Sequence, residues 1–89
     1  MIERDTEIVN RLGLHARAAA KLVHTAGNFQ SRVTVSKDGE EADAKSILGI
    51  LLLAAGQGCK VTVRCEGQDE EDALRAVTTL IANRFDEES

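Results

Sequence analysis

Ser31-Arg32-Val33-Thr34-Val35-Ser36-Lys37-Asp38-Gly39-Glu40-Glu41-Ala42-Asp43-Ala44 is the stretch on which the fold turns. Val33 and Val35 alternate with Arg32 and Thr34, the period-two pattern of a strand with one dry and one wet face. Asp38-Gly39 supplies the pair of residues a tight hairpin needs, so Glu40 to Ala44 is expected to return as a short antiparallel partner. The same alternation recurs on both sides of this hairpin. Glu3 to Val9 reads as a strand with Ile2, Thr6 and Ile8 near one parity. Cys59, Val61, Val63 and Cys65 share a parity opposed by Lys60, Thr62, Arg64 and Glu66.

Helical patterns fill the gaps. Arg11 to Leu14 is a loop that Gly13 lets turn. Ala16 to Ala26 is alanine-rich, spaces Ala19, Leu22, Val23 and Ala26 at helical intervals, and stops at Gly27-Asn28. Ser46 is a good N-cap for a short helix reaching about Leu53, ended by Gly56-Gln57-Gly58. After the Gly67-Gln68 turn, Asp69 is the expected N-cap of a last helix, and Glu70 to Asp72 stand where the helix dipole favours carboxylates. Its buried stripe is Ala73, Leu74, Val77, Leu80, Ile81 and Phe85. The order β-α-β-β-α-β-α predicts an α+β fold, an antiparallel sheet with one face in water and helices on the other. At 89 residues, with no linker or repeat, the chain is expected to be one domain, 1–89.

Composition removes several classes of function. The net charge of −4 and two aromatics, Phe29 and Phe85, argue against a nucleic-acid binder. The longest apolar run, Ile47 to Ala55, spans nine residues, too few to cross a membrane. Early acids at Glu3, Asp5 and Glu7 speak against a cleavable leader. Cys59 and Cys65 are too far apart along one strand to bond to each other, and a reducing, cytoplasmic compartment is expected. No metal-ligand spacing and no nucleotide loop is present, so neither metal nor cofactor is expected.

Charge is unevenly spread. Residues 11–37 carry Arg11, Arg17, Lys21, Arg32 and Lys37 without one acid, while acids gather at Asp38–Asp43, Glu66–Asp72 and Asp86–Glu88. The basic third is expected to face an acidic partner or a phosphate. The segment 47–55 has more apolar faces than a small two-layer fold can bury. Ile50, Leu53 and Ala54 suit the core, which leaves Ile47, Leu48, Leu51 and Leu52 as a surplus stripe for a dimer contact or a partner.

His15 stands at the N-cap of the first helix, where the free N–H groups of Ala16, Arg17 and Ala18 should converge on an anion. Arg17 is a cation in a first turn, unfavourable unless an anion visits. A neutral imidazole nitrogen is a competent nucleophile, so this end of the helix can accept a transferred phosphoryl group. The plainer alternative is a capping histidine beside a surface arginine. His24, nine residues on, cannot share a metal with His15 within one helix.

Gly13-Leu14-His15-Ala16-Arg17, followed by Lys45-Ser46-Ile47-Leu48-Gly49-Ile50 and by Gly67-x-Asp69-Glu70, resembles the histidine-containing phosphocarrier proteins (HPr) of the bacterial phosphotransferase system, including their nitrogen-regulatory branch. The resemblance runs from about residue 2 to 85. It implies an open-faced β-sandwich, a four-stranded antiparallel sheet in the order 1-4-2-3 covered by three helices. It also implies that His15 takes a phosphoryl group on Nδ1 from phosphorylated Enzyme I, that Arg17 pairs with it, and that an EIIA-type acceptor receives it. Ser46 matches the serine modified by HPr kinase/phosphorylase in many members. Ala20, Lys21, His24, Lys45, Ile47, Leu48, Leu51 and Leu52 fall on the face where the family docks partners, with Lys45, Arg17 and Lys21 as a positive island. A monomer is expected. Two departures stand out: Ala18 replaces the family's proline after the arginine, and Gly49 weakens the short helix by up to roughly 1 kcal/mol. A second reading is a regulatory module in which Ser46 phosphorylation governs docking to a transcription factor or enzyme.

Overall fold

The computed structural model describes residues 1–88. Strands β1 (Ile2–Glu7), β2 (Arg32–Lys37), β3 (Glu40–Asp43) and β4 (Lys60–Glu66) form one antiparallel sheet in the order β1-β4-β2-β3. Helices α1 (Ala16–Gly27), α2 (Ile47–Leu52) and α3 (Glu70–Ala82) complete the order read from the sequence, and a 3-10 turn (Arg84–Asp86) follows α3. Alternation explains the layering. Val33, Val35, Val61, Val63 and Cys65 are buried against the helices. On the wet face Arg64 bridges strands, reaching Glu3 at 3.1 Å and Glu41 at 3.5 Å. The hairpin closes as its dipeptide demands: Asp38 and Gly39 both take positive φ, 52° and 85°, the twist that suits a two-residue connection.

The helix faces follow the sequence with instructive exceptions. In α1, Ala18 joins Ala19, Leu22 and Ala26 in the core, whereas Val23 is half-buried. Small side chains there let the helix lie close to its neighbours. Ala18 is fully buried inside a helix that starts at Ala16 without a proline in its first turn. In α2, Ile50 and Leu53 enter the core as expected. Ala54 does not: it leaves the helix with φ 51°, is exposed, and hands its inward place to Ala55. Leu51 is also corrected, being half-buried and packed on the core, so the surplus stripe reduces to Ile47, Leu48 and Leu52.

Asp69 begins α3, but its carboxylate does not cap it. Instead it crosses to the loop after α1 and accepts the backbone N–H groups of Gln30 and Ser31, each at 2.9 Å, and the Ser31 hydroxyl. Three donors hold this carboxyl below its ordinary value, the Ser31 hydroxyl contributing most. The side chain therefore pins the entry of β2 to the start of α3. Phe85 is fully buried, yet it reaches the core from the turn after α3 rather than from the helix itself.

Candidate functional site

The loop before α1 is drawn tight by its own backbone. Leu14 N–H donates to the Ala55 carbonyl at 2.8 Å, and Gly13 has φ +69°. A Cβ on Gly13 would lie 2.5 Å from the Ala55 oxygen, so only glycine lets the two segments approach this closely. That contact fixes His15 as the N-cap of α1. Its backbone is extended (φ −76°, ψ 179°), and its ring Nδ1 accepts the Arg17 N–H at 3.3 Å. The sequence placed three N–H groups around an anion here; in the structure the imidazole itself takes the Arg17 donor.

The other ring nitrogen faces an acid the sequence did not single out. His15 Nε2 donates to a Glu87 carboxylate oxygen. The second oxygen of Glu87 accepts the Asn10 side-chain amide at 3.0 Å, and that same amide donates to the Gly13 carbonyl at 2.8 Å. Partial burial works to raise the Glu87 carboxyl, but the hydrogen bonds from Asn10 and His15 and the nearby charges of His15 and Arg17 outweigh it and hold the group below its ordinary value. With Nε2 as donor, Nδ1 keeps its lone pair, and that lone pair points at the helix start. Of the two ring nitrogens, Nδ1 is thus the one turned to the start of α1.

His15 opens on a cleft of about 790 Å³ shared with Arg11, Arg17 and Lys21 on one side and the acidic tail Asp86–Glu88 on the other. The acids that gather at Asp86–Glu88 in the sequence thus fold back beside the basic helix. Lys21 helps to hold it, donating to the Phe85 carbonyl at 2.8 Å. Arg17, Ala20, Lys21 and His24 continue along α1 into an adjoining shallow groove with Leu80. Lys45 does not join them. Its ammonium donates to the Phe29 carbonyl at 2.8 Å, beyond the far end of α1, and the twelve residues of that helix span about 18 Å. The expected positive island is therefore split in two, Arg17 with Lys21 in one part and Lys45 in the other.

Ser46 caps α2 as expected, its hydroxyl accepting the Gly49 N–H at 3.2 Å. Beside it Ile47 (45 % exposed), Leu48 (67 %) and Leu52 (70 %) stand in solvent, and so does Leu12 on the loop before His15. No group of metal-ligating side chains occurs among the described residues, and no helix among them is long and apolar enough to cross a membrane. Both cysteines are free, and burial raises the Cys65 thiol above its ordinary value.

A small α+β domain in which His15 caps a helix, with Nε2 held by an acid and Nδ1 turned to that helix's start, has the form of a group carrier. Residues 2–83 match the family model described as the PTS HPr component phosphorylation site. The chain belongs to this HPr family of the phosphotransferase system. It is 56 % identical over 87 residues to phosphocarrier protein HPr of Cupriavidus necator, covering 98 % of each chain. Phosphocarrier protein NPr of Shewanella violacea is 43 % identical over 88 residues, covering 99 % of this chain and 97 % of its own. HPr from Thermoanaerobacter tengcongensis superimposes with a TM-score of 0.96 at 47 % identity, covering all of both chains. The sheet order and helix layers expected from the resemblance are those observed.

Proposed function

We propose that residues 1–89 act as one carrier domain that takes a phosphoryl group on His15 Nδ1 from phosphorylated Enzyme I and passes it to an EIIA-type acceptor, as a monomer in the cytoplasm. The observation that carries this reading is the division of labour on the His15 ring, Nε2 held by Glu87 and Nδ1 facing the start of α1. Attack by the Nδ1 lone pair on phosphorus makes the N–P bond as the donor bond breaks. The new phosphoryl oxygens then lie where the Arg17 N–H is already directed, and the Arg17 guanidinium, exposed in the same turn, supplies a fork of donors. This transfer requires no second acid–base step of the carrier itself, which suits an intermediate whose chemistry is completed by each partner in turn.

Ile47, Leu48 and Leu52, with Ala20, Lys21 and His24 along α1, form the proposed docking face. Ser46 is the proposed control point. A phosphate there would meet the start of α2 beside the exposed leucines and would act on docking rather than on the fold.

The test is incubation with cognate Enzyme I and phosphoenolpyruvate. One acid-labile, base-stable label is expected, lost in His15→Ala and kept in His24→Ala. An unlabelled wild type overturns the carrier reading.

A further inference from the structure

Three features at the C-terminus belong together. Arg84, Phe85 and Asp86 take φ values of 59°, 53° and 61°, three successive L-residues in the left-handed region. Such a run is unfavourable and persists only where its surroundings over-determine it. Here Phe85 is fully buried and its carbonyl is held by Lys21. The result of the turn is to reverse the chain, so that Glu87 lands against the His15 ring and Asn10.

We propose that Glu87 is a positioning residue for phosphoryl transfer, one that fixes the His15 tautomer from the Nε2 side and balances the charge the ring acquires. This rests on the carrier reading above. Before transfer the Nε2–H···carboxylate bond holds the proton on Nε2 and leaves Nδ1 unprotonated. When Nδ1 attacks the phosphoryl donor, the donor's bond to phosphorus leaves with its electron pair. The Nε2 proton stays, so the ring becomes an N-phosphorylated imidazolium, and the Glu87 carboxylate is already beside the nitrogen that carries its proton. Transfer to the acceptor reverses the charge. The two ring nitrogens lie on opposite edges, so the carboxylate supports the ring without facing the phosphoryl oxygens. Asn10 keeps the acid in place by holding its second oxygen, and because the same Asn10 amide binds the Gly13 carbonyl, the anchor and the histidine loop are one unit. A carboxylate that orients an imidazole and stabilises its cation is a general device of nucleophilic sites.

The experiment uses the full chain labelled with ¹⁵N, observed by long-range proton–nitrogen NMR at a pH where the imidazole is neutral. Wild-type His15 is expected to show the single Nε2–H tautomer, with exposed His24 as the internal reference. Glu87→Ala should convert His15 to a mixture of tautomers. In the Enzyme I assay it should lower kcat for phosphoryl uptake by roughly tenfold, the worth of one charge-assisted hydrogen bond, with KM unchanged. Glu87→Gln keeps an acceptor for the Nε2 proton but no charge, so it should hold the tautomer and still lose rate. A wild-type tautomer together with wild-type kcat in Glu87→Ala overturns the proposal, and so does a loss confined to KM. If the wild type takes no label at all, the carrier reading fails instead, and the tautomer measurement alone decides whether Glu87 sets the ring.

Discussion

Two helices in this protein, α1 and α2, are capped by a side chain that accepts an N–H of their own first turn, and the two caps differ in how firmly they are held. At α1 the cap is His15, its ring gripped on the far edge by Glu87 and its loop clamped through Gly13 and Asn10. At α2 the cap is Ser46, whose hydroxyl holds one donor and whose neighbours Ile47 and Leu48 have nothing over them. The first helix is twelve residues long with four buried positions; the second is six residues long with one. Chemistry needs a group fixed in orientation, and fixing requires partners on every side. Display needs apolar surface left uncovered, which a short, lightly anchored helix supplies.

The largest expected effect tests the display half. Leu48→Glu and Ser46→Asp each place negative charge at the start of α2. Either should weaken Enzyme I binding by about tenfold or more, the range of a well-placed interface residue. Folding stability should change by less than about 0.5 kcal/mol in Leu48→Glu, because that side chain is 67 % exposed. Calorimetric titration and chemical denaturation separate the two quantities. Unfolding of Leu48→Glu would return α2 to the core and remove the contrast between the helices.

How much of this contrast is legible in the sequence follows from its range along the chain. Strand alternation, the Asp38-Gly39 turn and the Ser46 cap are local signals, and each element forms where they place it. The surplus of apolar residues in 47–55 is also readable, because counting faces needs no tertiary information. Its exact membership is not: Leu51 is drawn onto the core and Ala54 is turned outward by the left-handed exit of α2. Least visible are pairs joined across the whole chain. Glu87 meets His15 and Asn10 only because three residues before it adopt a left-handed turn, and no propensity announces that turn. Asp69 looks like a helix cap and spends its oxygens on Gln30 and Ser31. In both cases the partner lies too far along the chain for a local signal to name it.

The intermediate effect concerns acid. Glu87 and Asp69 have folded-state values held below the ordinary ones, 4.5 and 3.8. A group whose carboxyl is depressed on folding contributes stability above its unfolded value and loses it as pH falls through the folded one. The protein is therefore expected to weaken progressively below about pH 4.5. Glu87→Ala should remove part of that slope and Asp69→Asn another part, whereas Ser46→Ala should leave it unchanged, since the hydroxyl does not titrate. Urea midpoints measured from neutral to acid pH give the slope directly. An unaltered slope in Glu87→Ala would mean that the tail contact does not contribute to folding, and the start of α1 would be no better anchored than that of α2.

The smallest effect asks whether the looseness of α2 is merely tolerated. Gly49 is the third of six helical residues, and glycine there costs up to roughly 1 kcal/mol relative to alanine. The space for a methyl group exists: a Cβ would sit 3.4 Å from the Ser46 hydroxyl oxygen and 3.6 Å from the Ala42 Cβ, both ordinary contacts. Its N–H would still reach Ser46. Gly49→Ala is therefore expected to raise the thermal midpoint by a few degrees, at about 4–8 °C per kcal/mol for a domain of this size. The same change at Gly13 should do the opposite, because there the methyl group meets the Ala55 carbonyl at 2.5 Å on a backbone with φ +69°. Opposite signs from one substitution at the two helix starts would express their difference in a single measurement. If Gly49→Ala raises stability and leaves Enzyme I affinity intact, the glycine is a tolerated weakness. If stability rises while affinity falls, the short helix has to deform on docking, and its weak anchoring is part of how the display surface works.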